Sequence, residues 1–329
     1  MAAHDVMPDV ELFQPLTVED AVALAERLGG NGWILAGGQD TYGWLKDRAK
    51  QPTTMVDLGS IESLQGIEET RSGIRIGAMT TLRDLSRHPT IRDHYALLAE
   101  AADQVASPQI RNQGTIGGNV AQDTRCWYYR RGLACYRAGG NICYADTPDG
   151  MNREHAIFGA SRCVAVSPSD TATALVALDA TMVIQSSNGT RSIPAERFFV
   201  SPAVNITHMT VLRDGDILTH IEIPDTWAGA DFYFEKVADR NVWDFALVSI
   251  AGAMRIEGGT IRQARFVCGA VECVPRRLIE VERAVIGKPR NEATANSVAA
   301  LASRDAQPLN YNQFKAPLME NLVKRALRA

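Results

Sequence analysis

A chain of 329 residues, 46% hydrophobic and 22% charged, can bury cores of ordinary size in about two domains without disulfide staples. Its net charge of −4 argues against nucleic acid as the main partner, and no apolar run is long enough to span a bilayer. Met1-Ala2-Ala3-His4-Asp5-Val6 lacks a basic region followed by an apolar one, so no export signal is expected, and the six cysteines read as reduced thiols or metal ligands.

In chain order, Thr17 is a helix N-cap. Glu19 and Asp20 follow in the first turn, Val18, Ala21, Val22, Ala25 and Leu28 fall at helical spacing, and Gly29-Gly30 stops the helix. A short buried strand at 33–35 ends in Ala36-Gly37-Gly38-Gln39-Asp40-Thr41. Strands are expected at 54–58 and 73–77, a helix from Thr81, and another over 96–105 ended by Ser107-Pro108. Residues 121–162 are rich in Arg, Gly, Asn and Asp with little periodicity; a loop of that length needs something else to order it. Regular structure resumes at 163–166, with a helix over 171–178 and a strand at 181–184. Asn188-Gly189 marks a hairpin. Residues 224–229 read as a domain boundary. Beyond it come a strand at 233–237, a helix near 244–254, a hairpin at Glu257-Gly258-Gly259, and helices over 277–286, 292–302 and 311–327.

Two glycine turns carry chemistry. Ala36-Gly37-Gly38-Gln39-Asp40-Thr41 and Thr115-Ile116-Gly117-Gly118-Asn119 each pair glycines beside polar side chains, which lets backbone N–H groups approach phosphate oxygens without a Cβ in the way. Each is also readable as a plain tight turn. The helix-opening G-x-G-x-x-G fingerprint is absent, so a dinucleotide would bind in another fold. Four cysteines, Cys126, Cys135, Cys143 and Cys163, occupy or bound the polar stretch, separated by eight, seven and nineteen residues. Four thiolates suit zinc or an iron–sulfur cluster, and this spacing by itself settles neither. Arg125, Arg130, Arg131 and Arg137 could offset a cluster's negative charge, as could a solvated loop explain them. His155 reads as a surface histidine or as a ligand in place of one cysteine, and Cys268 and Cys273 are expected to pack among apolar neighbours.

The two glycine turns, together with Ser167-Pro168-Ser169-Asp170, Phe234-Glu235-Lys236-Val237, Asp244-Phe245-Ala246-Leu247-Val248-Ser249 and Gly269-Ala270-Val271, resemble the FAD-binding medium subunits of the molybdenum hydroxylases. That family includes xanthine dehydrogenase, aldehyde oxidoreductases and carbon monoxide dehydrogenase; Gln39 departs slightly from its first glycine motif. The resemblance implies an α+β chain: a vanillyl-alcohol-oxidase-like, two-lobed FAD domain over 8–226, then a smaller α+β domain over 227–329. Lobe one would end near 60 and lobe two near 226. FAD would lie between the lobes, its pyrophosphate cradled by Ala36, Gly37, Gly38, Gln39, Asp40 and Thr41 on one side and by Thr115, Ile116, Gly117, Gly118 and Asn119 on the other. Asp170 would hold a sugar or ribityl hydroxyl, unless it is only a helix N-cap, and Lys236 would lie near the isoalloxazine.

The run Asp123-Thr124-Arg125-Cys126-Trp127-Tyr128-Tyr129 and Arg162-Cys163-Val164-Ala165 are similar to two subgroups: the β subunit of 4-hydroxybenzoyl-CoA reductase and the flavoprotein subunit of bacterial periplasmic aldehyde oxidoreductase. Both subgroups carry a 4Fe–4S cluster in a loop here, which implies Cys126, Cys135, Cys143 and Cys163 as its ligands. The family also implies a large partner with the molybdenum cofactor and a small partner with two 2Fe–2S centres. The expected function is electron transfer in an aldehyde oxidoreductase, with the acceptor open. The alternatives are an aryl-CoA reductase subunit, a stand-alone flavin oxidase with a structural zinc loop, and a metal-ordered assembly scaffold. This chain alone suggests the cytoplasm; a small subunit with an export signal would move the assembly to the periplasm.

Overall fold

The computed structural model describes residues 7–328; the N-terminal segment read above for an export signal lies outside the described residues. The architecture is α+β, with three sheets in chain order. Glu11–Phe13, Thr54–Asp57 and Gly32–Leu35 form a parallel three-stranded sheet with Thr54–Asp57 central. The helix Val18–Leu28 starts where Thr17 Oγ1 accepts the Asp20 amide, and it buries Ala21, Val22 and Ala25 against Val56, Leu58, Ile61 and Leu64.

The second sheet is antiparallel, ordered Ile67–Thr70, Gly73–Gly77, Ile217–Pro224, Thr181–Ser186, Gly189–Pro194, and the expected hairpin turns at Ser187-Asn188. Helices Leu82–Arg87, Ala96–Asp103 and Asp170–Ala177 share its core. Every residue of Asp170–Ala177 is buried, because the third sheet packs on that helix too. Ser169, not Asp170, is its N-cap, accepting the Ala172 amide at 3.1 Å.

The third sheet, ordered Arg276–Arg277, Thr260–Gly269, Val248–Glu257, Asp231–Val237, corrects one expectation. Residues 244–254 are not a helix: Val248–Glu257 is a strand, and Val248 to Met254 are all buried. Ala251 and Ala253 join the core of the second sheet, while Val248, Ile250 and Met254 face the helices Ile279–Val285, Glu292–Val298 and Lys315–Arg328. A strand covered on both faces reads as a continuous apolar run and loses the alternation that marks a strand.

Residues 163–166 form no strand; Val164 and Ala165 are buried, and the segment is held through Val164 O, which accepts the Ala156 amide at 2.8 Å. The polar stretch before it is less bare than its composition suggests. It contains the short helix Trp127–Arg130 and a turn at Tyr136–Ala138. Tyr129 and Cys135 pack with Trp44 in a small core, and Ile157 and Phe158 enter the C-terminal core. Asn312 Nδ2 and Lys315 Nζ, both fully buried, clamp the His155 carbonyl at 3.1 and 2.9 Å. Lys315 also donates to the carbonyls of Glu154 and Ala270, and burial pulls its ammonium down to about 7. Much of the order expected from a bound metal therefore comes from aromatic packing and these clamps. No helix among the described residues is long and apolar enough to cross a membrane.

Candidate functional site

The two glycine turns meet. A Cβ at Gly37 would lie 2.0 Å from the carbonyl oxygen of Gln113 and 3.0 Å from Gly114 Cα, so backbone passes directly over backbone here. Gly38 has φ +73°, the left-handed region that favours glycine. Between the turns opens a cleft of about 790 Å³, lined by Ala36 to Thr41, Thr115, Gly117, Gly118, Asn119 and Asp170. That volume lies in the usual range for cofactor sites.

The turns differ in what they offer. Among the described residues, the amides of Gly37, Gly38, Gln39 and Asp40 donate to nothing in the protein. The second turn is folded into the start of the helix Ile116–Ala121, and its amides are already used. Ile116 N donates to Thr80 O, Gly117 N to Ala78 O, Gly118 N to Thr115 Oγ1 and Asn119 N to Thr115 O. Ile116 itself is fully buried in the core of the second sheet and does not line the cleft. Asn119 Oδ1 accepts from Ser169 and Thr171 hydroxyls at 2.6 Å each, which leaves its NH₂ as donor.

Several polar side chains have structural partners. Gln39 Nε2 donates to Gly37 O, and Thr41 Oγ1 accepts Trp33 Nε1 at 3.0 Å. Asp40 holds Arg125 and Arg130 on one oxygen and Trp44 Nε1 on the other. Lys236 does not line the cleft; its ammonium lies 2.6 Å from Asp170 Oδ2 and donates to Gln104 O. Burial pushes the Asp170 carboxyl up, against the pull of Lys236.

The cysteine loop lies behind Asp40. Cys126, Cys135, Cys143 and Cys163 line one cavity of about 10 Å³ with His155 and Arg137, space for one water at most. Burial pushes Cys126 up to about 11 and raises Cys143 as well. Among the described residues no three His, Cys, Asp or Glu groups stand close enough to hold a metal ion in this arrangement. The donor set suits a thiolate-bound metal or cluster, and ligation there requires the cavity walls to part.

Three features escaped the sequence reading. Trp44 lines the cleft and meets Tyr129 of the cysteine cavity edge-on at 5.2 Å; residues so distant in sequence leave no local signal. Cys273 is not a plain packing cysteine like Cys268. Its Sγ lies 3.6 Å from Arg137 Nη2 and 3.6 Å from the sulfur of Met209, which lines the cleft. His155 is 4% exposed rather than on the surface, with Nε2 3.3 Å from Cys126 Sγ and Nδ1 without a hydrogen-bond partner among the described residues.

Burial, with Lys315 adding, holds His155 down at about 4. The unfolded chain takes up this proton near 6.5, before the folded one does, so stability that is complete above 6.5 drains away as pH falls toward 4. The metal-free chain is expected to lose about 2 kcal/mol between pH 7 and pH 5 on this account. Denaturant unfolding at both pH values, in wild type and His155→Gln, measures it. An equal loss in the variant would assign the acid sensitivity elsewhere.

Two family models match the chain: the FAD binding domain in molybdopterin dehydrogenase over residues 8–226 and the CO dehydrogenase flavoprotein C-terminal domain over 233–329. The chain is 34% identical to the aldehyde oxidoreductase FAD-binding subunit PaoB of Escherichia coli, over 94% of this chain and 95% of that protein. It is 29% identical to the carbon monoxide dehydrogenase medium chain of Hydrogenophaga pseudoflava, covering 98% of both. The solved carbon monoxide dehydrogenase from that organism superposes with a TM-score of 0.77 at 29% identity, over 98% of this chain and 97% of that one.

Proposed function

Since the chain belongs to the FAD-binding medium subunits of the molybdenum hydroxylases, we propose that it is the flavin and 4Fe–4S electron-transfer subunit of a heterotrimeric, molybdenum-containing aldehyde oxidoreductase. In this reading it takes electrons from a 2Fe–2S partner subunit to FAD and on to an acceptor, while a large molybdenum-cofactor partner carries the substrate chemistry. The observation that carries it is the gathering of Cys126, Cys135, Cys143 and Cys163, far apart in sequence, on one cavity immediately behind the flavin cleft. The 34% identity to an aldehyde oxidoreductase subunit supports the aldehyde class. Division into a first lobe to about 60, a second to 226 and a C-terminal domain from 227 belongs to the same proposal; each sheet draws its strands from one of these segments.

When bound, the flavin and the cluster would supply electron uptake and release at fixed positions. The chain's own residues hold and shape. The free amides of Gly37 to Asp40, with Thr41 beside them, would take pyrophosphate oxygens, and Gln39 stiffens that turn through Gly37 O. Thr115, Gly117 and Gly118 would form the opposite wall, with the Asn119 side-chain NH₂ as donor. Their used-up amides make that wall a matter of shape more than of charge. The Asp40 carboxylate would face away from phosphate, neutralised by Arg125 and Arg130. Asp170, locked to Lys236, would present its remaining oxygen to a flavin hydroxyl.

Iron, acid-labile sulfide and flavin content of the purified protein, with mass spectrometry of co-purifying chains, test the proposal. Zinc without sulfide would refute the cluster and leave the flavin assignment standing. The flavin is expected to leave as intact FAD on heat or acid treatment; flavin retained on precipitated peptide, or released only as FMN, would refute the noncovalent cradle.

A further inference from the structure

Four of the loop's six arginines, those nearest Cys126 and Cys135, separate by environment. Arg125 and Arg130 are committed to Asp40 on the flavin side, and Arg131 is exposed. Arg137 and Arg162 both line the cysteine cavity, but Arg162 is exposed and lies over the Tyr136 ring, whereas the Arg137 side chain is 1% exposed. Arginine is almost never buried to this degree without good partners. Here the partners are poor. Nη1 stands 3.6 Å from Asp123 Oδ1, too long for a hydrogen bond, and Nη2 reaches Cys273 Sγ at 3.6 Å. Among the described residues Nε and Nη1 have no hydrogen-bond partner. Asp123 also faces Lys50 at 3.4 Å, so one carboxylate answers two cations and positive charge is left over at the cavity wall. A desolvated guanidinium with two unfilled donors is costly unless an anion completes it.

We propose that Arg137 is a positioning residue for the cysteine cavity, donating its unfilled N–H groups to the thiolate sulfurs of the ligand set and raising the reduction potential of the cluster they bind. This rests on the cluster reading above. The physical step is electrostatic: reduction adds one negative charge, and a fixed buried cation nearby favours the more negative state. Salt screens it far less than a surface charge, because the group is out of solvent. Arg131, on the same loop but in water, exerts no comparable effect. Cys273 holds the guanidinium from behind and is no ligand.

The test is redox titration of the purified native assembly, followed by electron paramagnetic resonance, alongside iron and flavin content. Arg137→Gln is expected to keep FAD and iron while the cluster's reduction equilibrium falls at least tenfold, about 59 mV more negative for one electron. Arg137→Lys and Arg131→Gln are expected to stay within tenfold of wild type, and Cys273→Ala to keep its iron. An iron-replete Arg137→Gln protein with an unmoved potential overturns the proposal, as does an equal shift in Arg131→Gln. If Arg137→Gln loses its iron or its fold, Arg137→Lys decides. Retained iron at wild-type potential supports a requirement for charge, while loss of iron or a large shift assigns the residue to packing and overturns it. Native protein without iron sinks the cluster reading itself, an outcome distinct from iron present with its potential indifferent to Arg137.

Discussion

Replacing Cys126, Cys135, Cys143 or Cys163 singly by Ser is expected to reduce the iron of the protein from about four per chain to three or fewer. Cys268→Ala should leave iron and sulfide unchanged. Four thiolates close the corners of a cubane, and losing one opens a corner to water. Cys268 is the sound control because it is fully buried within the C-terminal apolar core, whereas Cys273 touches Arg137. The loop is expected to survive the loss. Trp44 and Tyr129 pack edge-on, Tyr128 stacks on Tyr144, and Asn312 and Lys315 hold the His155 carbonyl without any metal. Limited proteolysis of the Ser variants should therefore show residues 121–163 nearly as resistant as in wild type. Full iron in all four variants would remove the cysteines from the ligand set. A loop that becomes freely cleaved would mean that metal binding supplies the order after all.

What the sequence discloses follows from how local its signals are. The helix Val18–Leu28 matches its reading because Thr17, the apolar stripe and Gly29 all act within a few residues of the chain. The hairpins at Ser187-Asn188, one residue before the expected Asn188-Gly189, and at Gly258-Gly259 are equally local. The strand Val248–Glu257 is misread because tertiary cover on both faces removes the alternation. At the candidate site, the glycine turns and cysteines are visible as residue types. Their division of labour is not. Nothing in Thr115-Ile116-Gly117-Gly118-Asn119 reveals that Ala78 and Thr80 already accept its amides, or that Ile116 points into the core. The burial of His155 depends on Asn312 and Lys315, from the far end of the chain. Likewise Arg125 and Arg137 look alike in sequence, and only the fold sends one to Asp40 and the other to the thiols.

The glycines of the cradle are expected to separate fold from flavin. Gly37→Ala places a Cβ 2.0 Å from Gln113 O and 2.8 Å from Gln113 C, both backbone atoms that no rotamer change can move. The turns must part, at a cost on the order of 1–3 kcal/mol for overpacking, and parting them widens the wall that shapes the pyrophosphate site. Gly37→Ala should lower the melting temperature and abolish stoichiometric FAD together. Gly118→Ala is milder: its Cβ would stand 3.0 Å from Thr115 Oγ1 and 3.4 Å from Ala36 Cβ, contacts that yield by a few tenths of an ångström. The new methyl group narrows the gap between the two turns on the cleft wall, so FAD affinity should fall tenfold or more while the flavin-free melting temperature stays near wild type. Fluorescence titration of deflavinated protein, with thermal unfolding of the same samples, measures both quantities. Wild-type affinity in Gly118→Ala would remove the second turn from the flavin site. Undiminished FAD in a destabilised Gly37→Ala protein would show that the approach of the turns serves folding alone.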